Sequence, residues 1–129
     1  MRPRWSLALA VPMLSCAAAT PAVDSNYVVA SRYVFRGVPK VEGAVLQGDT
    51  SVGSALGTDA ALTATAWTSV DLTGADDDAA GPSSTGGKIS EVDFVVDYTR
   101  TFGASSLSLG GVSYNFPNVG LVSTTEAYG

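Results

Sequence analysis

Glu91 and Asp93 stand two residues apart in Glu91-Val92-Asp93-Phe94, so an extended chain carries both carboxylates on one face. Paired carboxylates are the machinery of glycoside hydrolysis. Both come from one strand here, however, leaving no second wall to hold a sugar between them. Asp76-Asp77-Asp78 offers hard oxygen ligands of the kind that collect calcium. It lacks the D-x-D-x-D-G spacing, and its setting of Gly, Pro, Ser and Thr reads as a solvated loop. The Gly-rich stretches contain no G-x-x-x-x-G-K-[ST] motif and precede no helix, so they imply no phosphate site. The 129 residues include no His, which removes Ser-His-Asp and Cys-His catalysis, His-ligated zinc and any imidazole proton shuttle. One Cys forms neither an internal disulfide nor a cysteine cluster. The expectation is a protein that is not an enzyme and uses no cofactor or metal.

The amino terminus points to export from the cytoplasm. Arg2 and Arg4 precede an apolar run from Trp5 to Leu14, and small residues follow from Ser15 to Ala22. Positive, apolar, small is the order of a secretory signal. The run is too short for a spanning helix, which needs roughly 20 residues. Residues 1–22 are therefore expected to be a signal peptide, cleaved after Ala19 or Ala22, with lipoprotein processing at Cys16 as an alternative. Removing them leaves 5 basic against 12 acidic residues, a net charge of −7. That balance excludes nucleic acid as a partner, because phosphate backbones need a basic footprint.

The remainder, 23–129, alternates with period two. The first strand is expected over Asn26 to Phe35, with Tyr27, Tyr33 and Phe35 on one face and Asn26 and Arg32 on the other. Further strands are expected over about Ala44–Val52, Ala60–Val70 and Glu91–Phe102. In the last of these Val92, Phe94, Val96 and Tyr98 oppose Glu91, Asp93 and Asp97. A fifth strand, Ser106–Phe116, changes parity between Leu107/Leu109 and Val112/Tyr114/Phe116, as a bulge at Gly110-Gly111 would produce. A sixth begins at Thr124. Between them, connections alternate in length: Gly37–Gly43 is moderate, Asp71–Ser90 is long, and Gly53–Asp59 and Gly103–Ser105 are short.

Long and short connections on opposite sides, with strands of about 9–11 residues, fit an antiparallel up-and-down transmembrane β-barrel. Such a barrel turns Tyr27, Tyr33, Phe35, Val92, Phe94, Val96 and Tyr98 to lipid. It turns Arg32, Arg36, Gln47, Asp49, Glu91, Asp93 and Asp97 to a water-filled lumen, since an Arg or Lys on the lipid side costs about 2–4 kcal/mol at the midplane. The competing architecture is a soluble secreted or lipid-anchored β-sandwich that binds a partner through its loops. Bacterial barrels start at about eight strands. With five strands and part of a sixth, this chain is expected to be an incomplete portion of a barrel, with self-association as one route to closure.

Ser31-Arg32-Tyr33-Val34-Phe35-Arg36-Gly37-Val38, followed by Val45-Leu46-Gln47-Gly48, resembles the start of the TorF-type porins (Gcw_chp), a bacterial outer-membrane family. Glu91-Val92-Asp93-Phe94, Leu107-Ser108-Leu109-Gly110-Gly111-Val112, Tyr114-Asn115-Phe116-Pro117 and Thr125-Glu126-Ala127-Tyr128-Gly129 look like its later segments in the same order. The sequence departs from the family in its shorter length, and in Arg32, where an acidic or small residue is common. It also has no aromatic residue ending a last strand. The resemblance implies an outer-membrane porin passing small hydrophilic solutes, with lipid and the barrel-assembly machinery as its partners.

Overall fold

A computed structural model describes residues 20–74 and 86–129, and every regular element in them is a β-strand. The strands are β1 (Ala22–Ala30), β2 (Tyr33–Phe35), β3 (Val38–Val41), β4 (Val45–Ala55), β5 (Ala60–Asp71), β6 (Ile89–Phe102), β7 (Ser105–Asn115) and β8 (Thr124–Tyr128). Six form one sheet in the order β1-β4-β5-β6-β7-β8, every neighbouring pair antiparallel, and β2-β3 forms a separate hairpin. Residues 1–19, with most of the expected signal peptide, and Asp76-Asp77-Asp78 lie outside the described residues.

Turn chemistry explains the pairing. Gly103 (φ 62°) opens the two-residue β6–β7 link, and the positive φ confined to its first position matches a type II′ hairpin turn. Gly57 (φ 84°) bends the β4–β5 link, where the Leu56 amide donates to the Ala60 carbonyl at 2.7 Å. Both short turns lie at one end of the sheet. The longer connections, 31–44, 72–88 and 116–123, all lie at the other.

Two expectations change here. The first strand stops at Ala30, and Tyr33–Phe35 belongs to the β2-β3 hairpin instead of prolonging β1. The proposed bulge at Gly110-Gly111 is absent, since β6 and β7 pair without a register shift from Val92↔Asn115 to Phe102↔Ser105. The sheet's irregularity falls between Ser69 and Val70 against β6, where Ser90 is the extra residue and its hydroxyl donates to the Ser69 carbonyl at 3.1 Å.

The parity change in β7 has a packing cause. Leu107 and Leu109 point to the exposed apolar face. Val112 and Tyr114 point to the opposite face, where Val112 is buried and Phe35 of the hairpin stands edge-on to Tyr114. There the small core forms: Val45 is fully buried with Tyr33 and Val41, against Ala30, Phe35 and Trp67. The hairpin turn is Arg36-Gly37, both at positive φ (50° and 81°), as a type I′ turn requires.

On the other face the Tyr27 ring lies over Gly48, its register partner, and a Cβ at Gly48 would collide with that ring and with the Asn26 carbonyl. Gly48→Ala is therefore expected to destabilise the fold by about 1–3 kcal/mol, the usual cost of overpacking. Urea unfolding checks this, and Tyr27→Ala in the same chain should recover part of the loss.

Candidate functional site

Register sorts the side chains of the sheet. Across it, Asn26, Asp49, Trp67, Asp93 and Tyr114 share one face, as do Gln47, Ser69 and Glu91 one step along. Every acidic residue of the six strands lies on this face: Asp24, Asp49, Asp71, Glu91, Asp93, Asp97 and Glu126. No basic residue of those strands does. The opposite face carries Val29, Tyr27, Leu46, Val52, Leu62, Val70, Val92, Phe94, Val96, Tyr98, Leu107 and Leu109, with Arg100 its one charge. Arg100 sits near the short-turn end, 3.7 Å from Asp59.

Gln47, Asp49, Glu91, Asp93 and Asp97 thus share one face, and Tyr27, Val92, Phe94, Val96 and Tyr98 share the other. Tyr33 and Phe35 leave the second group. The chain turns out of the sheet after Ala30, and the hairpin lays both rings on the acidic face, Tyr33 against Trp67 (centroids 5.6 Å apart) and Phe35 edge-on to Tyr114 (6.3 Å). Arg36 reaches the acidic face from the hairpin tip, 3.4 Å from Glu126, with its guanidinium 5.0 Å over the Phe35 ring. Arg32 does not reach it; it pairs at 3.2 Å with Glu42, both side chains about half exposed.

The hairpin is held by polar contacts as well as rings. The Tyr33 hydroxyl hydrogen-bonds to Glu91, and burial, reinforced by that carboxylate, pushes the phenol above its ordinary range. Below it the Gln47 amide donates to the Ser69 hydroxyl at 3.3 Å, and Ser69 is fully buried. Asp71, also buried, accepts from the amides of Thr73 and Gly74 at 2.9 Å, a side-chain turn that starts the long connection. Asp97 accepts from the hydroxyls of Thr99 at 2.7 Å and Tyr128 at 3.0 Å. Tyr128 reaches it by crossing over Gly110, where a Cβ would meet the ring. Asp93 differs from these: its Oδ1 is buried with no hydrogen-bond partner among the described residues.

Trp67, Tyr114, Glu126 and Tyr128 complete this surface and were not legible as site residues. The lone Trp in a Thr- and Ala-rich strand and the parity change in β7 were the available signals. No group of His, Cys, Asp and Glu suited to a metal occurs among the described residues. No helix of the described residues is long and apolar enough to cross a membrane. No protein-family model matches the chain, and no curated protein or solved structure is significantly similar to it.

The two ways the hairpin is fastened should respond differently to substitution. Tyr33→Phe leaves the Glu91 carboxylate short of a donor in a buried setting, at an expected cost of about 1–3 kcal/mol. Arg36→Gly removes an exposed ion pair, worth about 0–1 kcal/mol, while relieving a left-handed backbone that costs an L-residue about 1–2 kcal/mol. Urea midpoints should therefore fall for Tyr33→Phe and stay within about 1 kcal/mol of the parent for Arg36→Gly.

Proposed function

We propose that the sheet is a sector of an outer-membrane β-barrel wall, with its apolar face against lipid and its acidic face toward an aqueous lumen that passes small hydrophilic solutes. The observation that carries this reading is the segregation of charge: all strand carboxylates on one face, and an opposite face that is exposed, apolar and free of charge except for Arg100 at its end. On that face Val29 is 65% exposed, Phe94 56%, Val96 53% and Leu109 52%. Strands β4 to β7, of 11, 12, 14 and 11 residues, are long enough for a tilted bilayer crossing of about 9–11 residues. Lipid offers no hydrogen-bond partner to an open edge, so in this reading the outer edges of β1 and β8 pair with further strands of the same wall.

Within such a wall the β2-β3 hairpin is a lumenal constriction. Its Tyr33 and Phe35 rest on the wall and its Arg36 faces Glu126. The resemblance to TorF-type porins belongs to the same proposal and is carried by the quoted segments alone. A secreted β-sandwich would instead need a second sheet over the apolar face, and among the described residues nothing covers it.

Expression in a Gram-negative host tests the proposal. The chain is expected in a carbonate-resistant outer-membrane pellet, and proteoliposomes made from it should swell in iso-osmotic arabinose. Release into the periplasm, or extraction by carbonate, would contradict it.

A further inference from the structure

Register sets Asp93 between two aromatic side chains, Trp67 on β5 and Tyr114 on β7, all on the acidic face. Phe35 of the hairpin stands edge-on to Tyr114, and Tyr128 lies beyond, over Gly110. These rings and the Asp93 carboxylate line a cavity of about 460 Å³ beneath the hairpin tip. Two more charges border it, Arg36 and Glu126, but they face each other at 3.4 Å and largely cancel. The cavity is left with one acidic group that has no counter-ion, Asp93, whose Oδ1 is buried without a partner among the described residues.

We propose that this cavity binds organic ammonium ions, with the cationic head beside Asp93 and its alkyl groups against the rings. The chemistry selects that class. Aromatic faces attract a cation electrostatically and tolerate its apolar substituents, which is how quaternary ammonium groups are recognised. Burial disfavours the ionised form of such a carboxyl, and a cation seated beside it restores that form. Anions find no free counter-charge, because the guanidinium of Arg36 already faces Glu126. A bare metal ion finds one free carboxylate and apolar walls where it needs several oxygens. The proposal rests on the acidic face being open to water, and it names the solute class that face would favour.

Trp67 provides a direct readout. In the full chain carrying Trp5→Phe, Trp67 is the sole tryptophan and lines the cavity. Titration of the detergent-solubilised protein with choline is expected to change Trp67 emission saturably. The neutral isostere 3,3-dimethylbutanol should bind at least tenfold more weakly, and glucose should give no response. Asp93→Asn should weaken choline binding at least tenfold, and Tyr114→Leu, which leaves the charge in place, severalfold. Equal responses to choline and its neutral isostere, unchanged affinity in Asp93→Asn, or no saturable response to choline would each overturn the proposal. Binding is read without a membrane or a conductance, so its failure is separable from failure of the barrel reading.

Discussion

The pleat of the sheet is the constraint on which everything else depends. Successive side chains of a strand point to opposite faces, so a register slip of one residue would move every carboxylate of that strand to the apolar side. Hydrogen-bonded pairing across six strands keeps Asp49, Asp93 and Asp97 together and keeps Tyr27, Phe94 and Val96 away from them. The apolar face is also too large to leave in water. Full burial of a Val, Leu or Phe side chain is worth about 1.5–3 kcal/mol. Val23, Val29, Val52, Leu62, Phe94, Val96, Phe102, Leu107 and Leu109 are each roughly half exposed or more. Their combined deficit is on the order of 10 kcal/mol by that scale, comparable with the whole stability of a small domain. Some apolar medium has to meet this face, and the proposed barrel supplies it as lipid.

The acidic face solves a different problem. Its strands turn carboxylates and no basic residue to this side, and the positive charges here come from the hairpin, with Arg36 at Glu126 and Lys40 close enough to Glu91 to interact with it. Most of the sheet's polar atoms on this face are satisfied internally: Gln47 by Ser69, Asp97 by Thr99 and Tyr128, Glu91 by Tyr33. Aromatic contacts fix where the hairpin rests, and a left-handed Arg36 sharpens its turn. A residue so rarely suited to positive φ usually marks a place where the surroundings over-determine the backbone. Here those surroundings are the paired strands β2 and β3, whose two-residue link closes only with both positions at positive φ.

Much of the sheet was legible in the sequence because alternation is a local signal. Glu91–Phe102 announces its two faces with only Val95 and Arg100 out of pattern, and the Gly57 and Gly103 turns mark where the short connections fall. The hairpin was not legible. Tyr33 and Phe35 keep the parity of Tyr27, so period two extends the first strand through Ser31-Arg32, although the chain leaves the sheet there. Which face a side chain takes is encoded locally, but what covers that face is not. For the same reason the switch from Leu107/Leu109 to Val112/Tyr114 resembled a bulge, when its cause is the apolar underside of a hairpin more than 70 residues upstream. Trp67, Glu126 and Tyr128 joined the site through tertiary contacts that no spacing could announce.

The central claim is that the two faces of β6 meet hydrocarbon and water. A fluorophore attached to single cysteines at positions 92–98, in a Cys16→Ser chain reconstituted in vesicles, tests it directly. Nitroxide-bearing lipid should quench probes at 92, 94, 96 and 98, whereas aqueous iodide should quench those at 93, 95 and 97. Lipid quenching that fails to alternate, or probes at 94 and 96 untouched by lipid, would contradict the account.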